Sequence, residues 1–125
     1  MAYRAPVRIL AGLVCLALAG CQEGAELRVT QDDRGVSFSL APDTDTQRCI
    51  DAVTVYPKTP DDAAPLWDIS RDRSVKGCTT QLRYGELPAG FGARQPAATL
   101  PPGAAYRVMV SGVGFSAAAQ FTRTP

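Results

Sequence analysis

The stretch LPPGAAYRVMV, residues 100–110, decides the fold of this chain. It opens on a Pro-Pro-Gly turn, after which Tyr106, Val108 and Val110 stand at every second position. An apolar residue at alternate positions is the pattern of a β-strand that buries one face. A second alternating set follows at once over residues 115–121, so the last quarter of the chain predicts two successive half-buried strands.

Short alternating or β-branched segments fill most of the chain upstream. The first two flank the polar turn QDDRG, residues 31–35, and predict a hairpin. No segment of ten residues beyond the N-terminal region has the 3.6-residue period of a helix. About seven short strands at this spacing are typical of a small all-β, two-sheet β-sandwich. The predicted upstream strands are 27–30, 36–40, 49–56, 66–70 and 79–84.

Residues 85–103 are rich in glycine and proline and predict a long loop, with a brief strand near 97–100. Leu87, Phe91 and Arg94 lie in this segment and form a possible binding loop, because recognition residues are disproportionately carried on loops that a rigid sheet holds in place. The alternative is that Phe91 folds back and caps one end of the core. The nearby cations Arg71, Arg73 and Lys76 alternate with acidic residues and predict a solvated, self-neutralised turn.

The stretch around Tyr106 resembles the fibronectin type III signature, in which leucine, proline, glycine and tyrosine recur at these offsets before the sixth strand. The resemblance implies an Ig-like or fibronectin-like sandwich, with Tyr106 bonded back to the upstream backbone as a structural corner and Leu100 buried beneath it. The chain departs from the family where Phe38 replaces the tryptophan of the second strand and where Pro96 shortens the fifth. Another two-sheet topology, such as a transthyretin-like one, therefore stays open.

The N-terminus has the features of an export signal. Arg4 and Arg8 precede an apolar run over residues 9–19, which is long enough for a signal-peptide core and too short for a permanent membrane span. The run ends in Leu18-Ala19-Gly20-Cys21, which resembles the lipobox of bacterial lipoproteins. That resemblance implies cleavage after Gly20 and acyl chains, such as palmitate, on Cys21. Two or three chains make a stable membrane anchor.

These features divide the chain into a lipoprotein signal peptide at 1–20, a tether at 21–25 and a β-sandwich domain at 26–125. Gln22 follows the cysteine where aspartate would signal retention, so the resemblance implies an outer-membrane protein facing the periplasm. The alternatives are an ordinary signal peptide with a chance cysteine, or an uncleaved membrane helix.

Cys49 and Cys78 are the two cysteines left once the signal peptide and Cys21 are set aside. In a chain bound for an oxidising compartment, such a pair predicts a disulfide. A metal or redox role is the alternative, but the chain has no histidine and the pair lacks C-x-x-C spacing.

Composition argues against several classes of function. Without histidine there is no Ser-His-Asp or Cys-His arrangement, and the paired carboxylates fall in predicted turns, where aspartate bonds the backbone. We expect no catalytic residues, no metal and no cofactor. The chain has 13 Lys plus Arg, of which Arg4 and Arg8 lie in the signal, against 12 Asp plus Glu, so we expect no nucleic-acid partner.

The sequence thus predicts a noncatalytic, lipid-anchored envelope lipoprotein that serves as a protein-interaction or assembly accessory module. The identity of its envelope partner is not encoded in any motif. A small periplasmic enzyme inhibitor acting through a loop, as in periplasmic lysozyme inhibitors, is the alternative. The Ser-Gly-rich inhibitory motif of that family is not evident, and residues 111–114, Ser-Gly-Val-Gly, resemble it only faintly. A ligand carrier is a third possibility, although a domain this small leaves little room for a cavity.

Overall fold

A computed structural model of the protein describes residues 25–42 and 47–125. Within them the chain forms eight strands and no helix, and the strands make two antiparallel sheets packed as a β-sandwich, as predicted. No helix in these ranges is long and apolar enough to cross a membrane. The predicted signal peptide, Cys21 and most of the tether lie outside the described residues. The strands are β1 Leu27–Asp32, β2 Gly35–Leu40, β3 Ala52–Pro57, β4 Trp67–Arg71, β5 Gln81–Arg83, β6 Phe91–Gln95, β7 Ala105–Gly112 and β8 Phe115–Thr122.

The smaller sheet has the order β1-β2-β5 and the larger one the order β6-β4-β3-β7-β8. Both predicted hairpin partners, β1 and β2, pair from Leu27↔Leu40 to Asp32↔Gly35. Strands β7 and β8 form a second hairpin, closed by the pair Gly112↔Phe115. Gly114 in its two-residue turn has a φ of 78°, in the left-handed region where only glycine is unstrained.

The core lies between the sheets and consists of the residues that alternate inward along each strand. Phe38 of the smaller sheet is fully buried and meets Phe121 of the larger one edge to face, with ring centroids 5.8 Å apart. The Tyr106 ring also contacts Phe121, with ring centroids 5.5 Å apart. Three aromatic rings therefore join the two sheets. The remaining buried apolar side chains are Leu27, Val36, Ile50, Val53, Val55, Trp67, Ile69, Leu82, Leu100, Val108, Val110, Phe115 and Ala117.

Tyr106 stands at the start of β7, and its hydroxyl donates a hydrogen bond to the carbonyl of Pro101, five residues upstream, at 3.1 Å. Leu100 is buried beside this turn. Burial raises the pKa of the Tyr106 phenol, and Arg123 opposes that shift. The hydrogen bond and the buried leucine hold the loop before β7 against the core.

One part of the sequence prediction was wrong, because residues 85–103 are not a continuous loop. Phe91–Gln95 forms strand β6, whereas 97–100 has no strand. Only Phe91 of β6 is even partly buried, so the strand has no alternating apolar pattern and is held through its backbone pairing with β4. A register shift between Asp68 and Ile69 marks a bulge in that pairing.

The predicted disulfide between Cys49 and Cys78 is confirmed. Cys49 precedes β3 of the larger sheet and Cys78 precedes β5 of the smaller one. Beside the bridge, the amide of Ile50 donates to the carbonyl of Thr79 at 2.7 Å. The disulfide therefore ties the two sheets together at one end of the sandwich.

Tyr84, just after β5, makes the fold less stable at high pH. Its hydroxyl donates to the carbonyl of Ala98 at 2.7 Å, its ring packs on Trp67, and burial raises its pKa from 10.0 to about 12. An unfolded chain ionises this phenol near pH 10, whereas the folded chain keeps it neutral to about pH 12. Its contribution is therefore complete below pH 10 and is lost between pH 10 and 12.

We expect the free energy of unfolding, measured by urea titration, to fall more steeply between pH 10 and 12 in the wild type than in Tyr84→Phe. The phenylalanine variant keeps the ring and removes only the titrating hydroxyl, so it serves as the control. Equal slopes in the two proteins would show that Tyr84 does not contribute to this dependence.

Candidate functional site

Several segments meet at one end of the sandwich, which we call the Ala25 end. The amide of Ala25 donates to the carbonyl of Ser116 at 3.2 Å, and Ser116 pairs with Ser111 just below the β7–β8 turn. The amide of Asp51 donates to the Ser111 carbonyl, and that of Arg71 to the Asp51 carbonyl, each at 2.8 Å. The described chain therefore begins at the same end as the β7–β8 turn and the loop after β4.

The loop after β4, residues 72–77, is shaped by its own side chains. The carboxylate of Asp72 accepts hydrogen bonds from the Ser74 amide at 2.9 Å and the Ser74 hydroxyl at 2.7 Å, and these bonds lower the pKa of Asp72. The Arg71 guanidinium donates to the carbonyl of Val75 at 2.8 Å. Asp72 is thus turned into its own loop, while Arg73 and Lys76 point into solvent as exposed residues.

An open groove of about 400 Å³ runs between this loop and the β7–β8 turn. Its charged lining consists of Arg71, Arg73, Lys76 and the carboxylate of Asp51. No ion pair joins Arg73 or Lys76 to another residue in the described part of the chain. The sequence analysis predicted a self-neutralised turn, but Asp72 bonds Ser74 and forms no ion pair with these cations. The three cations of the groove outnumber the carboxylates of Asp51 and Asp72, so the groove keeps a net positive charge.

Val113 is the most exposed large apolar residue at this end. It forms the tip of the β7–β8 turn and is 89% exposed, and Val75 on the other side of the groove is 40% exposed. Gly112 is required below the tip, because a side chain there would overlap the carbonyl oxygen of Cys49. The base of the turn therefore packs against the backbone at Cys49, while Val113 itself projects into solvent.

The three residues of the predicted binding loop are not equivalent. Leu87 is 51% exposed and lies between two turns. In the first, the Glu86 amide donates a hydrogen bond to the Arg83 carbonyl, and in the second, the Phe91 amide donates to the Pro88 carbonyl. Phe91 begins β6 and packs against the core as a partly buried residue. Arg94 lies within β6, and its side chain, 78% exposed, is 3.9 Å from the carboxylate of Asp68. Leu87 and Arg94 are therefore the surface members of the set.

Strand β6 is one of the two edge strands of the larger sheet, and β8 is the other. The inner edge of β6 pairs with β4, and within the described ranges no strand pairs with its outer edge. An unpaired edge presents a row of backbone donors and acceptors that an added strand can use. This edge and the Ala25 end adjoin, because Phe91 pairs with Arg71 and the Gly90 carbonyl accepts from the Asp72 amide at 2.8 Å.

No group of three or more His, Cys, Asp or Glu side chains that could hold a metal ion occurs in residues 25–42 or 47–125. A comparison with protein-family models, curated proteins and solved structures finds no match in any of the three. The functional interpretation therefore rests on the surface chemistry of this chain.

The sequence analysis included Val113 only in the faint motif match at residues 111–114, and it did not single out Val75. The signal available for Val113 was its position between Gly112 and Gly114, because a β-branched residue is not one of the types that favour a turn. The proximity of Val113 and Val75 could not be read from the sequence, because it depends on β4 and β7 both pairing with β3.

Proposed function

We propose that the chain is a noncatalytic, lipid-anchored lipoprotein of the bacterial envelope that faces the periplasm and binds a protein partner along β6. The observation that carries this proposal is the unpaired outer edge of β6, which the exposed Leu87 precedes by four residues in the sequence. The lipobox-like sequence ending in Cys21 supports the anchor, and the Cys49–Cys78 disulfide suits an oxidising compartment.

Binding would proceed by β-augmentation, in which an extended segment of the partner adds a strand to the sheet. Backbone bonds to Phe91–Gln95 would supply affinity with little dependence on sequence. Leu87 would add an apolar contact, and Arg94 would favour a partner segment that carries a carboxylate. The partner is thus an extended, partly acidic segment of another envelope protein.

A second candidate is an enzyme inhibitor that inserts a loop into a cleft. The exposure of Val113 at the tip of a hairpin favours this candidate, because inhibitors commonly present a rigid, projecting side chain. Inhibition would abolish the activity of a periplasmic hydrolase at a stoichiometric ratio, whereas an adaptor would leave that activity unchanged.

The partner-binding proposal is tested with a photo-crosslinking amino acid at Ala93 in β6, in the full chain expressed in bacterial envelopes. Ala118, an exposed alanine near the opposite edge of the same sheet, is the matched control position. We expect one protein to be crosslinked from Ala93 and not from Ala118. Adding Leu87→Glu and Arg94→Glu should reduce that adduct about tenfold, the effect of roughly 1.4 kcal/mol in binding.

Two further variants make the outcome interpretable. Gln120→Lys changes the charge at an exposed position on β8 and should leave the Ala93 adduct intact. Cys21→Ser, which lacks the lipid-accepting thiol, should move the protein out of the membrane fraction. An adduct that forms equally from both positions, or that survives the Leu87 and Arg94 substitutions, would count against β6 as the binding edge.

A further inference from the structure

We propose that the Ala25 end docks on the headgroup region of an anionic phospholipid bilayer, with Val113 inserted among the lipids and Arg73 and Lys76 against their phosphates. This inference rests on the lipid anchor of the proposed function and adds an orientation to it. The occupant of the groove is thus the membrane surface itself, and the edge of β6 then lies beside the membrane with its outer side open.

The length of chain between Cys21 and the sandwich brings this end to the membrane. Four residue steps separate Cys21 from Ala25 and span at most about 14 Å when fully extended. Ala25 is bonded at Ser116, only two residue pairs below the β7–β8 turn. Two residues rise about 7 Å along a strand, so the β7–β8 turn projects about 7 Å beyond Ala25. This distance is half the maximum length of the tether. A lipid on Cys21 therefore holds Val113 within reach of the headgroups.

The chemistry of this end matches an interfacial site. An exposed apolar side chain beside cations is the pattern by which proteins bind the boundary between headgroups and acyl chains. Each cation near an anionic bilayer adds to the attraction between the protein and the surface. Arg73 and Lys76 are exposed and unpaired within the described residues, and Val113 stands across the groove from them. The long stems of both cations can follow the headgroup surface while the charges stay hydrated.

The opposite end of the sandwich has no such excess of cations. The β1–β2 turn lies there, as does the chain after β3, where the Arg107 guanidinium donates to the Asp61 carbonyl at 2.8 Å. Within the described residues, its carboxylates and cations are equal in number, so an anionic surface has no net attraction for that end. The carboxylates are Asp32, Asp33, Asp61 and Asp62, and the cations are Arg34, Lys58, Arg107 and Arg123.

The test uses the full lipidated chain reconstituted into phosphatidylcholine vesicles with and without about 30% phosphatidylglycerol, a strongly anionic surface. Brominated phosphatidylcholine quenches tryptophan on contact. The tryptophan of Val113→Trp reports contact between the Ala25 end and the lipid, and that of Asp33→Trp reports contact at the opposite end. The native Trp67 is buried and gives the same background emission in both variants. We expect Val113→Trp emission to fall about twofold in brominated anionic vesicles, as for a side chain at the headgroup boundary, and Asp33→Trp emission to stay unchanged.

Charge dependence and flotation separate this inference from the proposed anchor. Arg73→Glu with Lys76→Glu should restore most of the Val113→Trp emission while the protein still floats with the vesicles. Flotation without quenching at Val113, or equal quenching at both ends, would overturn the docking and leave the anchor standing. Failure of the wild type to float, with Cys21→Ser behaving identically, would instead overturn the anchor and the orientation together.

Discussion

Replacing Phe38 by alanine is expected to lower the free energy of unfolding by about 3–5 kcal/mol, the usual effect of truncating a buried aromatic ring. Phe38 is fully buried and provides the smaller sheet's contact with Phe121, which in turn meets Tyr106. Its removal leaves a cavity between the sheets that a rigid sandwich can fill only partly. Because domains of this size are stable by only about 5–15 kcal/mol, urea titration should show a large fall in the unfolding midpoint.

Phe38→Leu is the matched control. Leucine keeps the site apolar and fills most of its volume, so the destabilisation should stay below about 1.5 kcal/mol. A loss in Phe38→Ala no greater than that in Phe38→Leu would mean that the ring does not join the sheets energetically, and the aromatic contact would be incidental.

Removing the disulfide by Cys49→Ala together with Cys78→Ala is expected to destabilise the fold by about 3–4 kcal/mol on the chain-entropy model. The bridge closes a loop with a sequence separation of 29 and restricts the unfolded chain accordingly. It also connects the segments that lead into β3 and β5, one from each sheet. Urea titration of the full chain measures the loss directly.

A reducing agent provides the control for this pair. Reduction should shift the wild-type midpoint to that of the double variant and leave the double variant where it is. A double variant that unfolds within about 0.5 kcal/mol of the oxidised wild type, the ordinary range of neutral surface changes, would contradict a stabilising role for the bridge.

The alternation of apolar residues was sufficient to predict most of the strands. Tyr106, Val108 and Val110 stand at alternate positions of the sequence, and all three are buried. Strand β6 escaped prediction because its stability comes from backbone pairing with β4 and one partly buried ring, neither of which leaves a period in the sequence. Strand order likewise depends on contacts between distant segments, which a local pattern does not encode.

The candidate sites were only partly accessible from the sequence. Leu87 and Arg94 were identified by composition and lie at the surface, whereas Phe91 contributes to packing. The groove at the Ala25 end could not be anticipated, because the Asp72 carboxylate bonds Ser74 and forms no ion pair with the neighbouring cations. Charge alternation in a sequence therefore does not establish that neighbouring charges pair in the folded chain.

The bulge in the β4–β6 pairing also determines which strands can use the open edge. Bulges bend and twist a strand, and Pro96, which has no N–H, follows β6 at once, so the edge offers only a short ladder. Two copies meeting edge to edge would bring two Arg94 side chains into that ladder, where like charges destabilise the pairing. The edge thus discriminates against self-association, so copies of the chain can reach a high local concentration without polymerising into fibres.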